Sequence, residues 1–145
     1  MLRVAIIEDS DMQMAALRFA ITDLGNEVVF ESGALSDFDT AIQTKPNAIF
    51  IDMTLTDANP PKVVGFLMQW LEEHSDDAPF IVMMTADHVT PSRFAAAEVL
   101  GVLFWNKQLE SISDVIGKVS GKCRKRSPWQ SSQLSELLEQ RACLS

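Results

Sequence analysis

The stretch Ala48-Ile49-Phe50-Ile51-Asp52 decides the fold. Four apolar residues in a row, with a β-branched residue on either side of Phe50, read as a short strand covered on both faces. A central parallel strand has that character. The carboxylate that ends it is equally informative. In an open α/β sheet, side chains at strand C-terminal ends project into the crevice where such sheets bind ligands.

The same pattern recurs on both sides of this stretch. Upstream, Arg3-Val4-Ala5-Ile6-Ile7 reads as a strand closing in Glu8-Asp9. Ser10, with Gln13 three residues on, has the form of a capping box. The helix it opens places Met14, Leu17, Ile21 and Leu24 at core spacing, and Gly25 suits its end. Glu27-Val28-Val29-Phe30 is a second strand; Ser36 and Asp39 are candidates to open a short helix that Pro46 stops. Downstream, Thr54 to Asn59 is a loop, and Pro60-Pro61 starts a helix that buries Val63, Val64, Phe66, Leu67, Trp70 and Leu71. Phe80–Met84 is a fourth strand ending at Thr85-Ala86. Thr90-Pro91 opens a helix that Gly101 stops, Val102–Trp105 is a fifth strand ending at Asn106-Lys107, and Ile112, Val115, Ile116 and Val119 mark a last helix. Strands alternating with helices predict an α/β fold, a parallel sheet with helices on both faces.

At 145 residues the chain is expected to form one domain, large enough to bury roughly 70% of its unfolded surface. No apolar run approaches the roughly 20 residues that span a bilayer. The N-terminus enters a strand at once, so no signal peptide is expected. Cys123 and Cys143 imply no disulfide framework and fit a reducing cytoplasm. Net charge is −8, but residues 1–117 carry 18 acidic and 6 basic side chains. An acidic body argues against direct nucleic-acid binding. Lys118, Lys122, Arg124, Lys125 and Arg126 then crowd into nine residues, where cations suit the last turns of a helix.

The polar residues that interrupt the apolar pattern fall at strand ends: Glu8 and Asp9, Asp52, Thr85 and Lys107. In a parallel sheet those ends share one edge. Two carboxylates 4 Å apart repel by about 4 kcal/mol at an effective dielectric of 20. Such a group must take up protons or hold a cation, and oxygen ligands select a hard ion such as Mg²⁺. With Lys107 and the Thr85 hydroxyl beside them, these are parts suited to phosphoryl transfer onto Asp52.

Glu8-Asp9, Asp52, Thr85-Ala86 and Lys107, in this order and spacing over residues 3 to about 120, resemble the receiver domain of bacterial two-component response regulators of the chemotaxis type. The resemblance implies a flavodoxin-like, doubly wound five-stranded parallel sheet of order 2-1-3-4-5. It implies that Asp52 accepts a phosphoryl group from a histidine kinase or phosphotransfer protein. Glu8, Asp9, Asp52 and the backbone carbonyl of Thr54 would hold Mg²⁺, and Thr85 and Lys107 would bind phosphoryl oxygens. It implies a switch made of Thr85 and Phe104, and dephosphorylation tuned by Thr54 and Asp87. Such a protein is no conventional enzyme, although it catalyses its own phosphorylation and dephosphorylation.

The chain departs from the family at four places, one of them a Gly101-to-Lys107 segment that looks one residue shorter than usual. Thr56 and Pro60 stand where the family has Pro and, soon after, Gly, so the loop after Asp52 is expected to be longer or differently bent. Gln108 follows Lys107 where the family has Pro, which predicts a trans bond, since a cis non-proline bond costs about 2.5–4 kcal/mol. Phe104 lacks the hydroxyl of a tyrosine. The alternative function is a pseudo-receiver, a binding module that works without phosphate. Asp52-Met53-Thr54-Leu55-Thr56 also has the Asp-x-Thr-x-Thr look of haloacid-dehalogenase-like phosphotransferases. There the nucleophile lies on the first strand and a further acidic pair follows the lysine. Here Asp52 is on the third strand and only the unpaired Glu110 and Asp114 follow.

These readings divide the chain into a receiver over 1–126 and a C-terminal extension over 127–145. Leu134, Leu137, Leu138 and Arg141 predict a short helix there, docked on the domain or across a homodimer that uses the last two helices and fifth strand.

Overall fold

The computed structural model describes residues 1–74, 78–85, 102–107 and 111–125, with backbone alone for 123–125. The elements are β1 (Arg3–Ile7), α1 (Asp11–Asp23), β2 (Glu27–Ser32), a 3₁₀ turn (Leu35–Asp37), α2 (Phe38–Gln43), β3 (Ala48–Asp52), α3 (Pro60–Glu73), β4 (Phe80–Thr85), β5 (Leu103–Asn106) and α4 (Ile112–Lys125). The expected helix after Thr90-Pro91, the Lys107–Gln108 bond, Asp87 and the extension over 127–145 lie outside the described residues.

All strand pairs are parallel and the order is β2-β1-β3-β4-β5, as the resemblance implies. The register sets Ile7 beside Ile51 and Asp52 beside Met84, so β1, β3 and β4 finish at one edge. The alternation of side chains along a strand divides the core into two layers. Ala5, Ile7, Ile49, Ile51, Ile81 and Met83 pack with Phe38, Leu67 and Trp70 beneath α2 and α3. Val4, Ile6, Phe50, Val82 and Met84 pack with Leu17, Ile21, Val115 and Val119 beneath α1 and α4. β3 is covered on both faces, and Phe50 is fully buried, a contribution of about 1.5–3 kcal/mol.

Local chemistry explains most helix ends and corrects four expectations. Ser10 caps α1 by accepting from the Gln13 N–H at 3.3 Å, but the Gln13 side chain does not return to Ser10. The Ser10 N–H donates instead to Glu8 Oε1 at 3.2 Å, so the capping box is only half made. Met14, Leu17 and Ile21 are buried, whereas Leu24 is the C-cap and 43% exposed. Gly25 follows it at φ 84°, a conformation few side chains tolerate. Neither Ser36 nor Asp39 caps the second helix; the chain enters it through the 3₁₀ turn, whose N-cap, Ala34, has no side-chain acceptor. Asn59 caps α3 as Pro60 and Pro61 foretell. In α3, Val63, Leu67, Trp70 and Leu71 are buried, while Val64 and Phe66 are only partly so.

Candidate functional site at the strand ends

The strand ends converge on Lys107. Its ammonium donates to Glu8 Oε2 at 3.0 Å, to Asp52 Oδ2 at 2.9 Å and to Gln13 Oε1. The Lys107 backbone N–H donates to the Thr85 carbonyl at 2.9 Å, which holds the residue at the end of β5. The two carboxylates are bound in the same way. Each gives one oxygen to Lys107 and the other to the N–H two residues on, Ser10 for Glu8 and Thr54, at 2.7 Å, for Asp52.

Their surroundings differ. The Glu8 side chain is 1% exposed and the Asp52 side chain 14%. Burial, and then the hydrogen bond with Asp52, push the Glu8 carboxyl up to about 7, against the opposing pull of Lys107. Burial pulls the Lys107 ammonium down, but the hydrogen bonds and charges of Asp52 and Glu8 outweigh it, and the net shift is upward. Lys107 thus stays charged at every physiological pH, while Glu8 takes up a proton near neutrality.

Asp9 is exposed, and the three acidic residues do not form one group. Among the described residues no three His, Cys, Asp or Glu side chains are set to hold a metal. Glu8 and Asp52 are drawn together by one cation, Lys107. The donor set is oxygen-only, the chemistry a hard ion takes, with one oxygen each of Glu8 and Asp52 held here by the Lys107 ammonium and the exposed Asp9 at the rim. The backbone at Gly33 passes over that rim. A Cβ added there would lie 3.3 Å from Asp9 Cα and 3.7 Å from the Glu8 carbonyl oxygen.

Thr85 closes β4 and is buried at the same edge. Thr54 is exposed beside Asp52. Phe104 is half-buried against the layer of α2 and α3, while its neighbour Trp105 packs edge-on to Phe50 in the other layer.

The loop after Asp52 closes on itself. Leu55 and Ala58 exchange backbone hydrogen bonds of 2.9 and 3.3 Å, and Met53, Leu55 and Ala58 are buried. Asp57 then reaches the 3₁₀ turn, accepting from the Leu35 N–H at 2.9 Å and the Ser36 N–H at 3.1 Å. It supplies the cap that Ala34 cannot. Those N–H groups, Leu35 first, hold its carboxyl below the usual range. Sequence reasoning missed Asp57 and the role of Gln13, because both meet partners remote in sequence. An alanine before a 3₁₀ turn, wanting an acceptor, is the one signal that could have suggested Asp57.

No helix among the described residues is long and apolar enough to cross a membrane. No family model and no curated protein matches the sequence. Solved structures do. The response regulatory domain of protein mrkE from Klebsiella pneumoniae is 20% identical, with a TM-score of 0.66 over 86% of this chain and 99% of that one. The signal receiver domain of the putative response regulator NarL from Mycobacterium tuberculosis is 15% identical, with a TM-score of 0.64 over 86% and 98%. A DNA-binding response regulator of the LuxR family from Staphylococcus aureus is 17% identical, with a TM-score of 0.63 over 85% and 98%. At these identities the likeness speaks for architecture, and the sheet order agrees with it: the chain is built on the receiver fold of response regulators.

Proposed function

We propose that the protein is a phospho-accepting receiver in two-component signalling and that Asp52 is the acceptor. The observation that carries this reading is the placement of Asp52, half-buried at the end of the central strand with one oxygen on the Lys107 ammonium. In the proposed step an Asp52 oxygen attacks phosphorus, and the bond from phosphorus to the donor histidine nitrogen breaks. An acyl phosphate forms and the imidazole takes up a proton. Lys107 neutralises the developing charge on the phosphoryl oxygens, and the Thr85 hydroxyl is the candidate second donor. Glu8, Asp9, Asp52 and the Thr54 carbonyl would hold Mg²⁺, which supplies the positive charge that lets a dianion approach carboxylates. The donor is a histidine kinase or phosphotransfer protein, and Thr54 and Asp87 tune hydrolysis of the product. Switching acts through Thr85 and Phe104 on partner binding or self-association.

Mass spectrometry after incubation with Mg²⁺ and acetyl phosphate tests the assignment. One phosphoryl group is expected on the native chain and none on Asp52→Asn or in chelator. Labelling that survives Asp52→Asn undiminished overturns it. One observation favours a second reading, a pseudo-receiver: Lys107 already satisfies both carboxylates without a metal. A protein of that kind binds its partner with no response to beryllofluoride.

A further inference from the structure

We propose that Gln13 is a positioning residue for Lys107, holding the ammonium in register between Glu8 and Asp52. A lysine ammonium has three N–H donors and no acceptor. Here three acceptors meet them: Glu8 Oε2, Asp52 Oδ2 and Gln13 Oε1. Gln13 is the neutral member of the set and brings α1, 94 residues away in sequence, onto the lysine.

Two further features make that contact more than incidental. First, Gln13 is released for it. The Ser10 N–H that a capping glutamine would serve is taken by Glu8 Oε1, so the Gln13 amide is free to turn toward the strand ends. Second, Lys107 has somewhere else to go. A cavity of about 440 Å³ opens between α1 and α4, bordered by Gln13, Leu17, Trp105, Lys107 and Ile112 among others. A lysine side chain has many rotamers open to it. Beside open space it stays at one point only if its donors are held there.

A phosphoryl group arriving on Asp52 alters the acceptors that Lys107 finds on that side. Gln13 sits on α1, on neither of the two strands that bring the carboxylates, and takes no phosphoryl group, so it fixes the starting position from which Lys107 meets the phosphoryl oxygens. The consequence for rate rests on the phospho-acceptor reading; the placement of the lysine does not.

The test uses the full chain with Gln13→Leu and Gln13→Glu. Residue 13 is exposed, so neither variant disturbs the core. Two measurements are made: the Lys107 ammonium proton signal by nitrogen-edited NMR without phosphodonor, and the rate of labelling by acetyl phosphate. In Gln13→Leu the signal is expected to broaden through solvent exchange, and labelling to slow about fivefold, the weight of one hydrogen bond of about 1 kcal/mol. Gln13→Glu keeps an acceptor oxygen and should keep the signal. An unchanged signal in Gln13→Leu, or equal loss in both variants, overturns the proposal. A wild-type chain that takes no label sinks the phospho-acceptor reading instead, and the NMR comparison still decides the role of Gln13.

Discussion

The ends of β1 and β3 carry the same device in two environments. At each, a carboxylate gives one oxygen to a backbone N–H two residues on and the other to Lys107. The Glu8 side chain is sealed at 1% exposure, and that of Asp52 is left at 14%. The sealed copy is raised to about 7. The open copy can be reached by a donor. Identical hydrogen bonding therefore does not make two carboxylates equivalent; access to water sets them apart.

The largest expected effect breaks the open copy. Asp52→Asn should lower acetyl-phosphate labelling by roughly 100-fold or more, since a carboxamide is no nucleophile. Glu8→Gln, read by the same mass spectrometry, should leave Asp52 labelled at a reduced rate. If the two variants lose labelling equally, the proposed division between them is wrong.

The next effect belongs to the sealed copy and has a definite sign. The folded-state pKa of Glu8 lies above the ordinary value, from 4.5 to about 7, so the folded protein binds the proton more tightly than the unfolded chain. The stability this gives is complete below pH 4.5 and is lost as pH rises through 7. Its size is on the order of 3 kcal/mol. Urea unfolding between pH 5 and 8 should show this decline, and Glu8→Gln should flatten it. Lys107 does not interfere, because its upward shift acts only above its ordinary value of 10.5.

A smaller effect tests whether the loop after Asp52 is held from outside. Asp57→Ala removes the acceptor for the Leu35 and Ser36 N–H groups and should cost about 0.5–2 kcal/mol, as lost helix caps do. Chemical denaturation gives the value. The smallest effect is expected on the solvent face of α1, where Phe19 is 73% exposed and Met12 80%. Phe19→Ser should change stability by no more than about 0.5 kcal/mol. A larger loss would mean that something packs there.

The sheet was legible in the sequence because its signals are local. Runs such as Phe80–Thr85 and Ala48–Asp52 are apolar on both faces, and each polar residue at a strand end marks the common edge. Glu8, Asp52 and Lys107 were found because charge interrupts those runs. What stayed hidden depends on distance. Nothing near Gln13 shows that its amide will turn from Ser10 to a lysine brought in by β5. Nothing near Ala34 shows that its missing acceptor comes from residue 57. The length expected for β2 fell short for a related reason: Glu31 and Ser32 look like loop, yet they pair with Ile6 and Ile7. The Glu31 carboxylate is occupied by Arg18 of α1. Propensity is overruled there by partners the local pattern does not contain.

The approach of Gly33 to Asp9 has a consequence for anyone reading variation in this chain. Residue 33 has no side chain, yet any substitution adds an atom about 3.3 Å from the Asp9 Cα. The strain falls on the rim of the acidic pair and spares the core. In a saturation mutagenesis screen scored for signalling, position 33 should therefore look like a site residue. Scored for abundance alone, it should look like an ordinary loop.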